Sequence, residues 1–599
     1  MTIYESIYKG GNYSLNPKYE ISVDSKYNSP AGSFALALDP RTANQLKETY
    51  DKLNTGAKQI EVQGTFSKQL ESIPDQHLDE IRRQAKIVGS KLTFHGPIEE
   101  PSGFDSQRNE WNEENRKHVE LQFDKAIERA HKLDPDGNVI VTIHSTAQLP
   151  EMIQREKIKD KEEIKSFFAV DSISGKVNQF RDEKSEFPES KEGKLKVFDP
   201  DKELERKNKE IWDNQMFNFT YHLDLAESRY ARTKGLIGET QKLVDEGKIS
   251  KEELMKTNPE IASLLQEDNL SAKAGDVFLK NSYNDLKTLF NYAYKSAKEQ
   301  NKDDDIKRLD NFRKTVQDNF PKIEKNDRET LSKVVREGLK ILQEDIDKPK
   351  ILKKFNNFVV DKSSDTFSNI AYNSYKNFGD TSPIISVENP PAGGGISRAE
   401  DLKELVEKSR EKFSRKLLSD GYTKREAKEI AEKIIGVTWD VGHINMIRKY
   451  GYSDEDLLKE AKIIKPYLKH IHLSDNFGFE HTELPMGMGN VPLKANAKIF
   501  GSKFNKLTKA IETGDWYQHF KVSPFPYELA AFGSPLGEGF EEKWNKVAWS
   551  YSPYFQGYGT VNPDIHHSIY GRGFVSLPQE LGGQIPGRES SRTTGTPLA

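Results

Sequence analysis

The chain has 599 residues, 35% hydrophobic and 31% charged, with 90 Lys+Arg against 94 Asp+Glu and a net charge of -4. That balance excludes a global electrostatic attraction to nucleic acid or anionic membrane and leaves only a local basic patch open. No cysteine is present, so disulfides and thiolate metal sites are excluded and any metal must be held by nitrogen and oxygen.

The first strand is expected at "GSFALALD", followed by the helical "TANQLKETYDKLNTG". "AKQIEVQG" carries a second strand ending near Glu61, and the helical "DQHLDEIRRQAKIVGS" follows it. "KLTFHGP" is the third strand, ending at His95. The amphipathic "NRKHVELQFDKAIERAHKLD" then leads into "NVIVTIHST", a fourth strand ending at His144. Short apolar runs separated by helical patterns of ten or more residues indicate βα units and a parallel sheet.

The alternation stops at about Leu149 and resumes after Asp380. Between them the chain is charged and reads as mostly helical, with aromatic stripes at helical spacing in "KNKEIWDNQMFNFTYHLDLAESRYARTKGLI" and "NSYNDLKTLFNYAYKSAKEQ". Such stripes are read as helix–helix core. Four more strands follow, in "SPIISVENPPAGGG", "IIGVTWDVGH", "LKHIHLSD" and "SPFPYELAAFG". Eight βα units predict an α/β TIM barrel with a large helical insertion between strands 4 and 5. The expected parts are an N-terminal extension (1–29), the first half-barrel (30–149), the insertion (150–380), the second half-barrel (381–555) and a C-terminal extension (556–599). The last of these is rich in Gly, Pro and Ser and is expected to be partly disordered. No apolar run approaches the roughly 20 residues of a membrane span, and the first residues lack an apolar leader segment. A cytoplasmic protein with no membrane partner is expected.

Every predicted strand after the first ends in a residue able to bind a metal or move a proton. In order these are Glu61, His95, His144, Glu388, Asp440 (with His443 three residues on), His472 and Glu528. Strand C-termini converge on one mouth of a TIM barrel. Carboxylates and imidazoles crowded there need a compensating charge, and a divalent cation supplies it. The stretch "HIHLSDNFGFEHTELPMGMG" adds His481 and Glu483 in a loop beyond the seventh strand.

The ordered motifs "LTFHGP", "VTIHST", "SVENPPAG", "TWDVGH", "IHLSD" and "YELAAF" resemble those of the xylose-isomerase-like TIM barrels, and most closely the endonuclease IV family (AP endonuclease family 2). The resemblance covers roughly residues 30–150 and 380–535. It implies metal-binding roles for His95 and His144, a metal-bridging role for Glu388, and ligand roles for Asp440, His443, His472 and Glu528. His481 and Glu483 fall where the family has Asp-x-His, so their types are exchanged. Ile98 stands where the family often places a DNA-contacting tyrosine. Glu388, Asp440, His472 and Glu528 also match the single-metal site of the sugar isomerase and epimerase branch.

The resemblance implies divalent metal, zinc first and manganese or magnesium as alternatives, and two chemistries. One is metal-assisted hydrolysis of a phosphodiester, including at abasic sites in DNA, with Glu388 orienting the nucleophile. The other is isomerisation or epimerisation of a small sugar, with Glu388 and Glu528 exchanging a proton at carbon. A third reading keeps the barrel as a scaffold for the insertion. In all three the insertion is expected to bind a partner, cover the site or mediate oligomerisation.

Overall fold

The computed structural model describes residues 34–54, 57–147, 149–158, 161–182, 198–245, 259–520 and positions 524, 527 and 531. The expected terminal extensions (1–29 and 556–599) and Glu528 lie outside the described residues. By contacts the chain divides into two compact units. One comprises residues 1–168, 179–183 and 355–599, and the other 169–178 and 184–354.

In the first unit eight parallel strands close into a barrel. We number them β1 (Phe34–Ala37), β2 (Gln59–Gln63), β3 (Lys91–His95), β4 (Ile140–His144), β5 (Ile384–Glu388), β6 (Ile435–Asp440), β7 (Leu468–Leu473) and β8 (Lys509–Ile511). Each pairs with its neighbours in sequence order, and β8 closes the ring on β1 through Phe34↔Lys509 and Leu36↔Ile511. This is a TIM barrel. Its strands read as continuous buried runs, β2 and β6 being buried at every residue, because a parallel barrel covers both faces of each strand.

The eighth strand is a correction. It was expected in "SPFPYELAAFG", but the place beside β7 and β1 is taken by Lys509–Ile511. Three residues with a lysine at their head carry too little hydrophobic periodicity to register as a strand.

Local chemistry sets the helix starts on the outer layer. Thr423 and Glu426 form a reciprocal capping box ahead of the helix Lys424–Ile434, and Ser453 with Asp456 does the same ahead of Asp454–Ile464. Each satisfies two amide donors left unpaired at a helix start.

The chain between β4 and β5 opens with antiparallel strands rather than helix: Ile153↔Phe167 through Ile158↔Lys161. The helix Phe355–Phe378 groups with the barrel unit, where Phe367, Ile370 and Ala371 are fully buried. The second unit is built mainly from the helices Pro200–Asp245, Pro259–Glu299, Asp303–Glu324 and Arg328–Lys340. The stripes read from sequence pack inward in part: Trp212, Phe219, Leu286 and Leu289 share one core with Phe312 and Val335, whereas Phe217 and Tyr221 are exposed.

Candidate metal centre

Five of the eight strands deliver a donor at or next to their C-terminal residue, all buried except the partly buried His144. His95 ends β3, His144 ends β4, Glu388 ends β5 and Asp440 ends β6. His472 is the penultimate residue of β7. The register places them side by side: Glu388 is opposite His144, and Asp440 is opposite His472. Glu512, directly after β8, joins them.

Glu388 is fully buried and its two oxygens face different groups. Oε2 lies 3.3 Å from His95 Nε2 and 3.2 Å from His144 Nε2. Oε1 lies 2.8 Å from His472 Nδ1, which is itself 3.1 Å from Glu512 Oε2. None of these approaches is aligned as a hydrogen bond. Both Glu388 oxygens and both His472 ring nitrogens are buried without a hydrogen-bond partner. Buried polar atoms this close and this poorly matched are costly unless something sits between them.

The tautomers sharpen the point. His95 Nδ1 lies 2.9 Å from the Gly96 carbonyl, which can only accept. Nδ1 therefore carries a proton, and Nε2 points a lone pair at an anionic carboxylate unless it too is capped. A proton or a cation resolves the conflict.

The charge balance tells the same story. Burial alone would raise Glu388, but the facing charges of His472 and His144 overcome it and hold it well below the usual carboxylate range. Burial opposes protonation of His95, and the close approach and charge of Glu388 push it up instead to about 9. His472 is raised well above the usual range by Glu388, Glu512 and Glu61, again against burial. Burial pushes Glu512 up to about 8. A divalent cation would neutralise these charges, and imidazoles and carboxylates are donors that divalent metals take.

Asp440 is positioned by its own helix cap. Its Oδ1 accepts from the His443 amide at 2.7 Å, starting the short helix Val441–Asn445 and presenting His443 on its first turn. Ser474 Oγ also donates to Asp440, at 3.2 Å. His443 Nδ1 lies 2.7 Å from the Asn389 carbonyl, which leaves Nε2 facing His481 Nε2 at 2.9 Å. Burial drives His443 down to about 4. Glu483 Oε1 is 3.7 Å from His481 Nε2, while Glu483 Oε2 accepts from the Gly514 amide at 2.9 Å. The loop after β7 is folded around Asp475, which accepts from the amides of Asn476, Gly487 and Val491. Gly489 sits so close that a Cβ there would lie 2.3 Å from Asp475 Oδ1.

Of the residues singled out in sequence, the structure brings together His95, His144, Glu388, Asp440, His443, His472, His481 and Glu483. Among the described residues, ligand-capable atoms fall into close groups at Glu61/His470/His472, His95/Glu388/His472 and Glu388/Asp440/His443/Glu512. Two members were missed. Glu512 directly follows the unrecognised β8. His470 was legible, because it lies two residues before His472 on a strand and so on the same face. Glu61, expected at a strand end, is two residues short of the end of β2 and lies one layer deeper.

Residues 399–513 match the family model described as xylose isomerase-like TIM barrel. Over that stretch the chain is similar to xylose isomerase-like TIM barrels. The match ends one residue beyond Glu512, so it takes in β6, β7 and β8 of this barrel and stops short of Glu528. No curated protein sequence matches the chain. Two solved structures are similar to this chain. One is a D-tagatose 3-epimerase-like protein, at 19% identity and TM-score 0.19, over 26% of this chain and 49% of that one. The chain thus spans about half the length of that protein. The other is D-psicose 3-epimerase with D-tagatose from Clostridium cellulolyticum H10, at 8% identity and TM-score 0.35, over 84% of this chain and 96% of that one. At these scores neither weighs on the choice of chemistry.

Among the described residues no helix is long and apolar enough to cross a membrane.

Proposed function

We propose that this barrel is a metal-dependent phosphodiester hydrolase with clustered cation positions sharing Glu388. The observation that supports this reading is the division of labour within Glu388. Oε2 faces the His95 and His144 pair, and Oε1 faces His472. A carboxylate that serves two donor sets through separate oxygens suits bridging, and a single-cation site has no use for His95 and His144 as well.

His95, His144 and Glu388 would hold one cation. Glu388, Asp440, His472 and Glu512 would hold a second, and His443, His481 and Glu483 a third and weaker one. When bound, the cations supply an activated water, grip on the phosphate and charge neutralisation at the leaving oxygen. The protein's own groups set the geometry. Asp440 is pinned by Ser474 and by the His443 amide, and His443 is pinned by the Asn389 carbonyl. Phe477 and Phe479 stand 40% and 64% exposed on the loop that carries His481, available to stack on a base or sugar ring beside the reacting ester. Zinc is the favoured cation, with manganese or magnesium as alternatives, and DNA containing an abasic site is the first substrate to try.

A second reading, sugar isomerisation or epimerisation, is supported by one feature. Glu388 and Glu512 approach the same nitrogen of His472, at 2.8 and 3.1 Å. Two carboxylates at one cation could pass a proton between the faces of a sugar carbon. Metal analysis of protein purified without chelator separates the readings. Two or three equivalents per chain, with cleavage of an abasic-site duplex, support the hydrolase. One equivalent, with turnover of a ketose and none of the duplex, would reject it in favour of the second reading.

A further inference from the structure

Below the donor layer lies a second polar layer, built from the strand positions two residues earlier. Thr438 is opposite His470 in the register, and Glu61 is opposite Thr93. Thr438 Oγ1 donates to Ser386 Oγ at 2.7 Å and shares a hydrogen bond with Thr142 Oγ1 at 3.0 Å. TIM barrels normally fill these layers with branched apolar side chains. Here a fully buried carboxylate, Glu61, and a fully buried imidazole, His470, occupy it.

Glu61 has a divided set of partners. Its Oε2 accepts from Thr93 Oγ1 at 3.0 Å and faces His470 Nε2 in a hydrogen bond of 3.1 Å. Its Oε1 faces His472 Nε2 at 3.5 Å, with Gln63 Nε2 also at 3.5 Å. His472 thus lies between two carboxylate layers. Nδ1 looks up at Glu388 and Glu512, and Nε2 looks down at Glu61. A histidine that gives Nδ1 to a cation keeps its proton on Nε2, and that proton needs an acceptor.

We infer that Glu61 is a positioning residue for the metal centre. It takes the Nε2 proton side of His472, fixes which nitrogen of that ring is offered upward, and is itself held in place by His470 and Thr93. The alternative, a further cation among Glu61, His470 and His472, fits less well. Glu61 Oε2 already has both of its lone-pair directions taken by Thr93 and His470. The inference rests on the metal centre proposed above, but not on whether the substrate is an ester or a sugar.

The test uses the full-length chain stripped of metal and titrated with cobalt(II), followed by the visible absorption of the bound ion and by competition with a chromophoric chelator. Glu61→Gln keeps the size of the side chain and removes its charge. It is expected to bind the same number of cobalt ions, with affinity at the His472 position weakened about 10–100-fold and with an altered visible spectrum. Thr93→Val, which frees Glu61 Oε2 without touching His472, should shift the spectrum in the same direction by less. It also stands in if Glu61→Gln does not fold. Cobalt bound identically by wild type and variants overturns the positioning role, and so does loss of a whole equivalent in Glu61→Gln, which would make Glu61 a ligand. Wild-type protein that binds no cobalt refutes the metal centre itself, a different failure.

Discussion

His443 and His481, 38 residues apart in sequence, face each other with their Nε2 atoms 2.9 Å apart. Because Nδ1 of His443 is committed to the Asn389 carbonyl, its Nε2 presents a lone pair to the other ring. That arrangement suits a shared cation as well as it suits a proton. His481→Ala is expected to lower bound zinc by one equivalent and to leave the other positions filled, measured by elemental analysis after gel filtration. Unchanged stoichiometry would show that His481 is not a ligand.

Glu388→Gln tests the shared carboxylate. If Glu388 serves two cation positions, its loss should remove more than one equivalent. Turnover should fall by more than about 100-fold, the upper end of what losing an outer-sphere partner costs. A variant that loses a single equivalent would argue against sharing.

The two candidate glutamates near the chain's C-terminal end can be told apart directly. Glu512 lies 3.1 Å from His472 Nδ1 and falls within the family match, whereas Glu528 lies beyond that match and outside the described residues. Glu512→Gln should weaken metal binding at the Asp440/His472 position by at least ten-fold, and Glu528→Gln should leave it intact. The reverse pattern would restore the role that the "YELAAF" resemblance gave to Glu528.

Gly442 is a packing constraint on the centre. A Cβ there would lie 2.1 Å from Ser474 Oγ and 2.7 Å from the Ser474 carbonyl oxygen. Ser474 is also the donor that steadies Asp440. Gly442→Ala should therefore cost about 1–3 kcal/mol by overpacking and loosen cobalt binding with it. Thermal unfolding of metal-free protein and cobalt titration read the two effects separately. If stability falls and cobalt affinity does not, the link through Ser474 is refuted.

Lys509, fully buried at the head of β8, donates to the carbonyls of Phe504 and Leu507 at 2.8 and 3.0 Å. Burial pushes its pKa down to about 7. Between that value and the ordinary lysine range of about 10.4, the folded amine is neutral and the unfolded one is charged. Unfolding then takes up a proton, so stability rises with pH through this window, by at most about 1.4 kcal/mol per pH unit. Lys509→Met should flatten that slope in urea melts taken between pH 7 and 9.5. Parallel slopes in variant and wild type would mean the amine stays charged inside the barrel.

Much of the barrel was legible because short, largely apolar runs alternate with helical stretches, as in β1 (FALA), β4 (IVTIH) and β5 (IISVE). β8 was not, since three residues led by a lysine carry no such run. The reason that lysine is tolerated, two carbonyl acceptors in reach of its amine, is a tertiary fact. The donors that end strands were equally legible, since position at a strand end is a sequence property. What could not be read was depth. Glu61 looked like another strand-end donor until the register put it beneath the centre, opposite Thr93. The exchanged pair His481 and Glu483 was readable as chemistry but not as geometry, because the loop's path depends on Asp475 gathering the amides of Asn476 and of the more distant Gly487 and Val491.

The pairing of β4 with β5 carries a kinetic consequence. Its five register pairs run from Ile140↔Ile384 to His144↔Glu388, and just outside them Asn138 bonds the Asp380 carbonyl 242 residues away. Closing a flexible loop of that length rather than one of about ten residues costs roughly 3 kcal/mol more in chain entropy, and such distant pairings slow folding. The half-barrels should therefore meet late, after the intervening helices have drawn the two ends together. His144 and Glu388 occupy adjacent positions across that final seam, so cation uptake would report the last step of assembly.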